Sequence, residues 1–351
     1  MLLDLVKIFT PAVLAFTIGI GMTPLLSRIL YERKMWKKRA GKHDLDGNET
    51  PIFNKLHETR EVGVPRLGGI VIWLSVLMAT LLTYALAYFF FSPLLSKLDF
   101  LSRDQTWIPL LALLLGGCIG FFDDLAEING EGGLSLRKRI ALVGLIGFAV
   151  GVWFYLKLDV VSIGLPFLGP FFVGSFLPAL FALVTIGVYS GGIIDGLDGL
   201  AGGVFAIIFG AYGAIAFFQN QLNLAAFCAA LLGGILAFLW FNIPPARFYM
   251  SETGSMALTL ALAVVAFMTD NLGEGEGLFV LPIIALPLVV TSTSAILQLI
   301  SKRVFKKKLF KIAPLHHHFE AMGWPLSKVV MRYWVISVIA ALIGLIVALA
   351  S

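Results

Sequence analysis

Apolar runs of membrane-spanning length recur along the whole chain and are separated by short polar segments. A helix needs about 20 mainly apolar residues to cross a bilayer. Ten stretches approach this length, and we expect each of them to form a transmembrane helix. They lie at about 9–31, 68–91, 107–122, 138–156, 173–190, 199–218, 222–241, 255–269, 278–300 and 330–350. The pattern therefore predicts an all-α integral membrane fold, with residues 1–351 forming a single polytopic domain.

Two local patterns modify this picture. Pro282 and Pro287 fall inside the ninth stretch, where they predict a bend or a break that membrane helices tolerate when neighbours satisfy the freed backbone groups. Residues 157–170, KLDVVSIGLPFLGP, mix β-branched residues with glycine and proline. This mixture is typical of a short β-hairpin, which we expect on the outer side of the membrane.

Basic residues lie almost entirely on one side when the chain is threaded through the bilayer from an outer N-terminus. The outer segments then hold only Lys7, Lys97, Arg103 and Lys157, and the other lysines and arginines fall in the inner segments, apart from Arg28 and Arg332 within predicted spans. Because lysine and arginine concentrate in cytoplasmic loops, we expect both termini outside and the inner loops in the cytoplasm.

Composition excludes a soluble protein. Hydrophobic residues make up 59% of the chain and charged residues only 13%, with a mean hydropathy of +0.92. A soluble domain has about a quarter of its residues charged. Cys118 and Cys228 each lie inside an apolar run, so neither a disulfide framework nor a cysteine metal site is indicated. The formal charge of +5 reflects membrane orientation rather than nucleic-acid binding.

Two acidic motifs fall on the inner side. The third span is predicted to end at Asp123 and Asp124, two adjacent carboxylates that repel unless a divalent metal, a lysine or an arginine lies between them, or one of them holds a proton. The segment GGIIDGLDGLAGG carries Asp195 and Asp198 between glycines. That spacing favours both carboxylates on one side of a helical turn, with close backbone approach to a ligand.

Two further inner loops carry polar chemistry. The loop from Asn242 to Ser255 combines an amide, a cation, aromatic rings and the carboxylate of Glu252. The last inner loop contains APLHHHFE, with three consecutive histidines at 316–318, after the basic run from Lys302 to Lys311. Adjacent residues on a regular helix point in different directions, so the three imidazoles cannot all chelate one ion.

Together these motifs bring carboxylates and histidines from four separate inner loops to one membrane face. Carboxylates without cysteines favour Mg²⁺ or Mn²⁺ over zinc, and Mg²⁺ typically accompanies phosphate substrates. The residues alone therefore predict phosphoryl transfer at the membrane surface. The expected active site is formed by the inner loops 32–67, 123–138, 190–203, 242–255 and 301–329.

These motifs resemble those of the polyprenyl-phosphate phosphosugar-1-phosphate transferases, and most closely those of the phospho-N-acetylmuramoyl-pentapeptide transferase (MraY) family of bacterial peptidoglycan synthesis. The resemblance covers nearly the whole chain, including Gly68 and Gly69 at the entry to the second span. Its most specific element is the APLHHHFE string, which separates this family from relatives that use other UDP-sugars.

The resemblance implies attack by undecaprenyl phosphate on UDP-N-acetylmuramoyl-pentapeptide, with Mg²⁺ (or Mn²⁺) as cofactor, giving lipid I and UMP. It also implies a bacterial inner-membrane location and a homodimer. The implied catalytic residues are Asp123, Asp124, Asp195 and His316, and the implied metal ligands are Glu252 and Asp195. The implied substrate-binding residues are Arg66, Arg137, Lys138, Asp198, Asn242, Arg247, Tyr249, Gln298, His317 and His318.

The chain departs from the family pattern at several motif positions. Glu252 replaces the usual metal-binding aspartate, and Gly191 and Gly192 replace an asparagine-bearing stretch. Glu127 replaces a lysine three residues after the aspartate pair, and Arg66 replaces a threonine at the second-span entry. These changes predict rearranged recognition of the uridine and the diphosphate, with Arg66 or Arg247 as candidates for the lost cation.

Three alternatives remain open at this point. A transferase for another UDP-sugar is disfavoured by the histidine string. A transporter is disfavoured because transporters place charges near the bilayer midplane, whereas these motifs lie at the inner ends of spans. An inactive relative that binds polyprenyl phosphate without turnover is the third.

Overall fold

The computed structural model describes residues 2–38, 62–90, 92–101, 105–130, 132–270 and 275–350. Most of the predicted inner loop 32–67 lies outside these residues, so its fold stays a prediction. The helices, in chain order, are α1 (Leu2–Glu32), α2 (Ile70–Phe90), α3 (Pro93–Leu98), α4 (Trp107–Asn129), α5 (Leu136–Lys157), α6 (Leu177–Gly191), α7 (Leu200–Phe218), α8 (Leu222–Asn242), α9 (Ser251–Met268), α10 (Leu281–Ile284), α11 (Leu286–Val304), α12 (Leu315–Ala321) and α13 (Leu326–Ala350).

The all-α integral membrane fold is confirmed. In the described part of the chain, nine helices are long and apolar enough to span a membrane. The ninth of the ten predicted stretches is missing from this set because it is divided at Ala285 into α10 and α11. Each piece has a proline in its first turn, so the predicted break is confirmed.

The predicted hairpin is also confirmed. Strands β1 (Ser162–Leu165) and β2 (Gly169–Phe172) pair antiparallel, from Ser162 opposite Phe172 to Leu165 opposite Gly169. Asp270, just beyond α9, accepts a hydrogen bond from the backbone N–H of Gly164 at 3.0 Å. That bond fastens the hairpin to the end of the central helix.

Helix α9 is the centre of the bundle. Its side chains are buried on all faces, and Glu252 in its first turn is the one residue of the helix outside the fully buried set. A helix buried all round needs no polar face. Carboxylates placed against its first turn are therefore shielded from solvent by the protein itself.

Helix α4 packs along α9 through a glycine surface. A Cβ at Gly116 would lie 2.6 Å from the carbonyl oxygen of Met256, and a Cβ at Gly120 would overlap the carbonyl of Glu252. Small residues four apart allow membrane helices to approach at backbone distance. This contact fixes the register that places the end of α4 beside the start of α9.

Gly120→Ala is expected to lower the melting temperature in detergent and to reduce activity, because the added methyl group meets backbone atoms that cannot yield locally. Overpacking of this kind costs about 1–3 kcal/mol. Gly187→Ala is the matched control, since a Cβ at Gly187 has nothing within 4 Å. Equal melting temperatures for the two variants would contradict the backbone contact.

Burial raises the pKa of Asp270 to about 7, against the opposing hydrogen bonds from Gly164 and Leu278. The folded state therefore favours the neutral acid, and the charged form becomes costly as pH rises from the unfolded pKa of about 4. Because of Asp270, we expect the melting temperature to fall as the pH rises from about 4 to about 7. Asp270→Asn should flatten that pH dependence, and an unchanged slope would contradict the assignment.

Candidate active site at the end of helices α4 and α9

The aspartate pair lies inside helix α4. The apolar run that predicts this span stops at 122, but the helix continues to Asn129. The prediction of a helix mouth at the pair is therefore wrong. Asp123 and Asp124 are almost fully buried, at 1% and 0% exposure, and face the first turn of α9. The helix continues beyond the apolar run because polar groups on other elements contact both carboxylates.

Arg139 is the cation of Asp123. Its two terminal nitrogens lie 2.9 Å from Asp123 Oδ2 and 2.6 Å from Glu252 Oε1. The same guanidinium donates from Nε to the carbonyl of Leu134 at 2.9 Å. One arginine therefore joins the start of α5 to carboxylates on α4 and α9.

Asp124 is held differently. Its Oδ2 accepts hydrogen bonds from the backbone N–H and the hydroxyl of Thr253, at 2.8 Å and 2.7 Å. Its Oδ1 is fully buried and accepts no hydrogen bond from the described residues. The Nε of Arg66 lies 3.6 Å from that oxygen, an ion-pair distance but not a hydrogen bond. Each aspartate therefore lies beside its own arginine, and arginine is one of the cations that the sequence left open for this pair.

The departures at positions 66 and 127 contact each other. Arg66 forms a close ion pair with Glu127, and Lys37 lies 2.7 Å from the other oxygen of Glu127. The guanidinium of Arg66 also donates to the hydroxyl of Ser251 at 3.1 Å. Glu127 is therefore paired with two cations, and a replacement of the family's lost cation by Arg66 stays a prediction.

Asp195 and Asp198 bind two different parts of the loop before α9. Asp195 accepts a hydrogen bond from the N–H of Ser251 at 2.8 Å, and Asp198 accepts one from Ala246 at 3.1 Å. Residues 195–199 form an irregular segment after a short 3₁₀ turn at Gly192–Ile194. The predicted shared helical turn is therefore wrong, because hydrogen bonds to the neighbouring loop replace the helical ones.

Asn242 fastens the same two loops together. Its side-chain oxygen accepts from the N–H of Gly199 at 2.9 Å, and its amide donates to the carbonyl of Phe248 at 2.9 Å. Tyr249 is half-buried and pairs through its backbone with Pro65 and Gly68. The expected uridine contacts of Asn242 and Tyr249 remain predictions.

The three imidazoles do not converge on one point: His316 and His317 face the same loop, and His318 points away from them. His316 and His317 are buried with ring centroids 4.3 Å apart, and both Nε2 atoms face Gly196. His317 Nδ1 lies 2.9 Å from Glu320. His318 turns away and accepts a hydrogen bond from the N–H of Lys311 at 3.2 Å. Two imidazoles therefore border the loop of Asp195, and the third supports the basic segment.

Gln298 holds that basic segment in place. Its Oε1 accepts from the N–H groups of Leu309 and Phe310, at 3.0 Å and 2.9 Å, and its Nε2 donates to the carbonyl of Phe310. These contacts use both ends of the buried amide. Its expected role in substrate binding remains a prediction.

Three predicted cationic contacts lie on the surface. Arg137, Lys138 and Arg247 are exposed, and the carbonyl of Arg247 accepts a hydrogen bond from Tyr31 at 2.9 Å. Their substrate contacts stay predictions, whereas the residue that reaches the aspartates is Arg139.

Sequence reasoning missed Arg139 and Tyr189 as site residues. Arg139 stands four residues before Val143, which begins the buried stripe of α5, so the helical period carries the signal. The Tyr189 hydroxyl lies 3.4 Å from Glu252 Oε2, at the end of the buried face of α6. No motif in the sequence marks this tyrosine.

The carboxylate oxygens of this site are the kind of ligand that Mg²⁺ and Mn²⁺ prefer. Among the described residues, no three carboxylate, imidazole or thiol groups form a ready metal cage. Mg²⁺ is usually held by one or two carboxylates together with substrate phosphates and water, so a cage is not required. The buried Oδ1 of Asp124, which accepts no hydrogen bond, is a hard oxygen donor of the kind that binds such a cation.

Site charge supports the same conclusion. Five carboxylates lie together here, and three cationic side chains of the described residues pair with them. The carboxylates are Asp123, Asp124, Glu127, Asp195 and Glu252, and the cations are Lys37, Arg66 and Arg139. Among the described residues the carboxylates thus outnumber the cations that pair with them, an excess that a divalent cation would offset.

Arg139→Ala is expected to lower both activity and melting temperature far more than Arg137→Ala. Removing one partner of a buried ion pair costs about 3–5 kcal/mol, and Arg139 serves two carboxylates with only 19% of its side chain exposed. A larger loss of activity for Arg137→Ala than for Arg139→Ala would contradict this expectation. It would show that Arg137, as the sequence predicted, is the cation that the reaction needs.

Comparisons with known proteins find relatives that match nearly the whole chain. The profile of glycosyl transferase family 4 matches residues 106–270, which include both aspartate motifs. The phospho-N-acetylmuramoyl-pentapeptide-transferase of Caldanaerobacter subterraneus subsp. tengcongensis is 33% identical over 349 residues, covering 96% of this chain and 98% of that protein. The proteins of the same name from a Geobacillus strain and from Rickettsia massiliae are 33% and 36% identical, covering 95% and 86% of this chain and 95% and 84% of their own lengths.

The fold, the buried carboxylates and the matched profile define a phosphoglycosyl transferase embedded in a bacterial membrane. The similarity to relatives over nearly their whole length narrows the class further. The chain belongs to the phospho-N-acetylmuramoyl-pentapeptide-transferase family, and the resemblance drawn from its motifs is confirmed.

Proposed function

We propose that this chain transfers phospho-N-acetylmuramoyl-pentapeptide from its UDP conjugate to undecaprenyl phosphate, giving lipid I and UMP in peptidoglycan synthesis. The observation that carries the proposal is the buried pair Asp123 and Asp124, each with its own arginine, beside Glu252 on the central helix. Relatives that match over nearly their whole length bear the name of this activity. The alternatives of another UDP-sugar or a transporter are not favoured.

Asp124 is the best-placed acceptor for a proton from the lipid phosphate, because one of its oxygens is committed to Thr253 and the other accepts no hydrogen bond. Asp123 Oδ2 also accepts no hydrogen bond from the described residues, but Asp123 is less available because Leu134 donates to its Oδ1 and Arg139 lies 2.9 Å from its Oδ2, closer than Arg66 lies to Asp124 Oδ1. Positioned electrostatic groups are the main protein contribution to phosphoryl transfer. Arg66 and Arg139 supply such groups next to the reacting phosphates.

Glu252, with Asp195, would hold Mg²⁺, or Mn²⁺ in its place. When bound, the metal neutralises charge on the diphosphate and on the leaving UMP. His316 and His317 face the backbone at Gly196 beside Asp195, which supports a place for them along the diphosphate. Arg137, Lys138, Asp198, Asn242, Arg247, Tyr249, Gln298 and His318 complete the proposed substrate-binding set.

The reaction is tested with purified chain in detergent, supplied with UDP-N-acetylmuramoyl-pentapeptide, undecaprenyl phosphate and Mg²⁺. We expect UMP release that stops with a chelator and that UDP-N-acetylglucosamine does not support. No UMP with either Mg²⁺ or Mn²⁺ would overturn the proposed function.

We further propose that the active site faces the cytoplasm and that the chain forms a homodimer. The asymmetry of basic residues supports the orientation. A cysteine introduced at exposed Ser135, beside the start of α5, should react with an impermeant thiol reagent only when the inner face is open. Light scattering in detergent tests the dimer, and a mass of one chain would contradict it.

A further inference from the structure

The backbone around Arg66 is fixed on both sides. The N–H of Arg66 donates to the carbonyl of Met35 at 2.8 Å, and the carbonyl of Pro65 accepts from Tyr249 at 2.9 Å. Gly68 returns a hydrogen bond to the carbonyl of Tyr249 at 2.8 Å. The segment therefore pairs with the loop that leads into α9, and the direction of the Arg66 side chain follows from that pairing.

Glu127 and Lys37 hold the guanidinium from its other side. Glu127 lies one helical turn after Asp124 on the same face of α4, so both carboxylates meet the same cation. One oxygen of Glu127 pairs with Arg66 and the other with Lys37 at 2.7 Å. Glu127 draws the Nη1 end of Arg66 towards itself, and the Nε of Arg66, which donates to Ser251 Oγ at 3.1 Å, stays 3.6 Å from Asp124 Oδ1.

The distances at Asp124 have a chemical consequence. A guanidinium in full contact with Oδ1 would compensate its charge but would also occupy the oxygen. At 3.6 Å the charge is compensated and the oxygen still accepts no hydrogen bond.

We propose that Arg66 and Glu127, with Lys37 behind them, are positioning residues that compensate the charge of Asp124 while keeping its Oδ1 open to the reacting groups. The inference rests on the proposed function, because it assigns how the acceptor oxygen of that reaction is kept available. Glu127 acts as the restraint: it holds Arg66 back from the oxygen.

Glu127→Gln weakens that restraint without removing the cation. We then expect the guanidinium of Arg66 to contact Asp124 Oδ1 directly. The kcat for UMP release should fall about tenfold or more as a result. The KM for the UDP substrate should change little, since no substrate contact is removed. A purely structural ion pair would instead lower the melting temperature and leave kcat of the folded protein unchanged.

Moving the cation supplies the sharper test. Arg66→Thr removes the cation beside Asp124, and Glu127→Lys adds a second cation next to Arg66. Each single variant is therefore expected to lose about tenfold or more in kcat. The double variant places one cation on α4, a single turn from Asp124, and should be more active than either single variant. A double variant no better than the singles would overturn the proposal.

Exchanging the pair gives the opposite expectation. Arg66→Glu combined with Glu127→Arg preserves an ion pair but places a carboxylate beside Asp124 and an arginine beside Lys37. We expect this double variant to be inactive. Recovered activity would show that the pair merely joins two loops, and the positioning role would be wrong.

The exposed pair Arg28 and Glu32 on α1 is the matched control. Its side chains are 76% and 60% exposed and 2.7 Å apart, so Arg28→Thr with Glu32→Lys should match wild type in kcat and melting temperature. If wild type itself releases no UMP, the proposed function fails on its own. If wild type releases UMP and the variants at 66 and 127 keep its kcat, the positioning role alone is overturned.

Discussion

Asp124→Asn is expected to abolish measurable UMP release while the chain stays folded. The asparagine oxygen can still accept both hydrogen bonds from Thr253, but its amide would face Arg66 with no negative charge and no proton acceptor. Loss of a positioned acid or base typically costs about 10²–10⁴-fold. Initial rates at saturating substrates measure the effect, and melting temperature reports the fold.

Asp99→Asn serves as the control for this variant. Asp99 makes a local hydrogen bond to the N–H of Leu101, outside the site, and its replacement should leave the rate unchanged. Full activity in Asp124→Asn would show that the acceptor role belongs elsewhere, with Asp123 the next candidate.

Glu252→Ala is expected to abolish turnover as well. The substitution removes the proposed metal ligand and leaves Arg139 with Asp123 as its only acidic partner among the described residues. Mg²⁺ dependence should be lost together with activity, and Mn²⁺ should not restore it. Full activity would show that Glu252 is not a ligand and serves only to orient Arg139.

Glu252→Asp separates these two roles. The shorter side chain retains a carboxylate but withdraws from Arg139, which contacts Glu252 Oε1 at 2.6 Å. We therefore expect partial activity, below that of wild type and above that of Glu252→Ala. Activity above wild type would mean that the site keeps the geometry of the aspartate it replaces, and that the pairing with Arg139 is dispensable.

Hydropathy predicted most of the fold, because each span has to satisfy the bilayer along its whole length. The break between α10 and α11 was visible in two prolines, and the hairpin in its turn residues. The end of α4 was not visible. A polarity pattern stops at Phe122, whereas the helix continues to Asn129 because Thr253, Arg66 and Arg139 pair with its carboxylates from other elements.

The candidate site was predictable in its acidic residues and not in its cations. Asp123, Asp124 and Glu252 are recognisable in the sequence because carboxylates are rare beside apolar spans. Arg137, Lys138 and Arg139 are adjacent and chemically alike, so only the packing direction of α5 selects Arg139. The contacts of Gln298 and Asn242 with loop backbones likewise depend on tertiary pairing that no local motif records.

The burial of α9 has a consequence for how the protein is made. Of the nine candidate spans this helix has the lowest hydropathy, 1.5, and the largest buried share, 94%. Its insertion during synthesis therefore depends less on lipid than on the helices already present, above all the glycine face of α4. The helices that receive α9 are therefore the condition for Glu252, in its first turn, to reach its place in the candidate site.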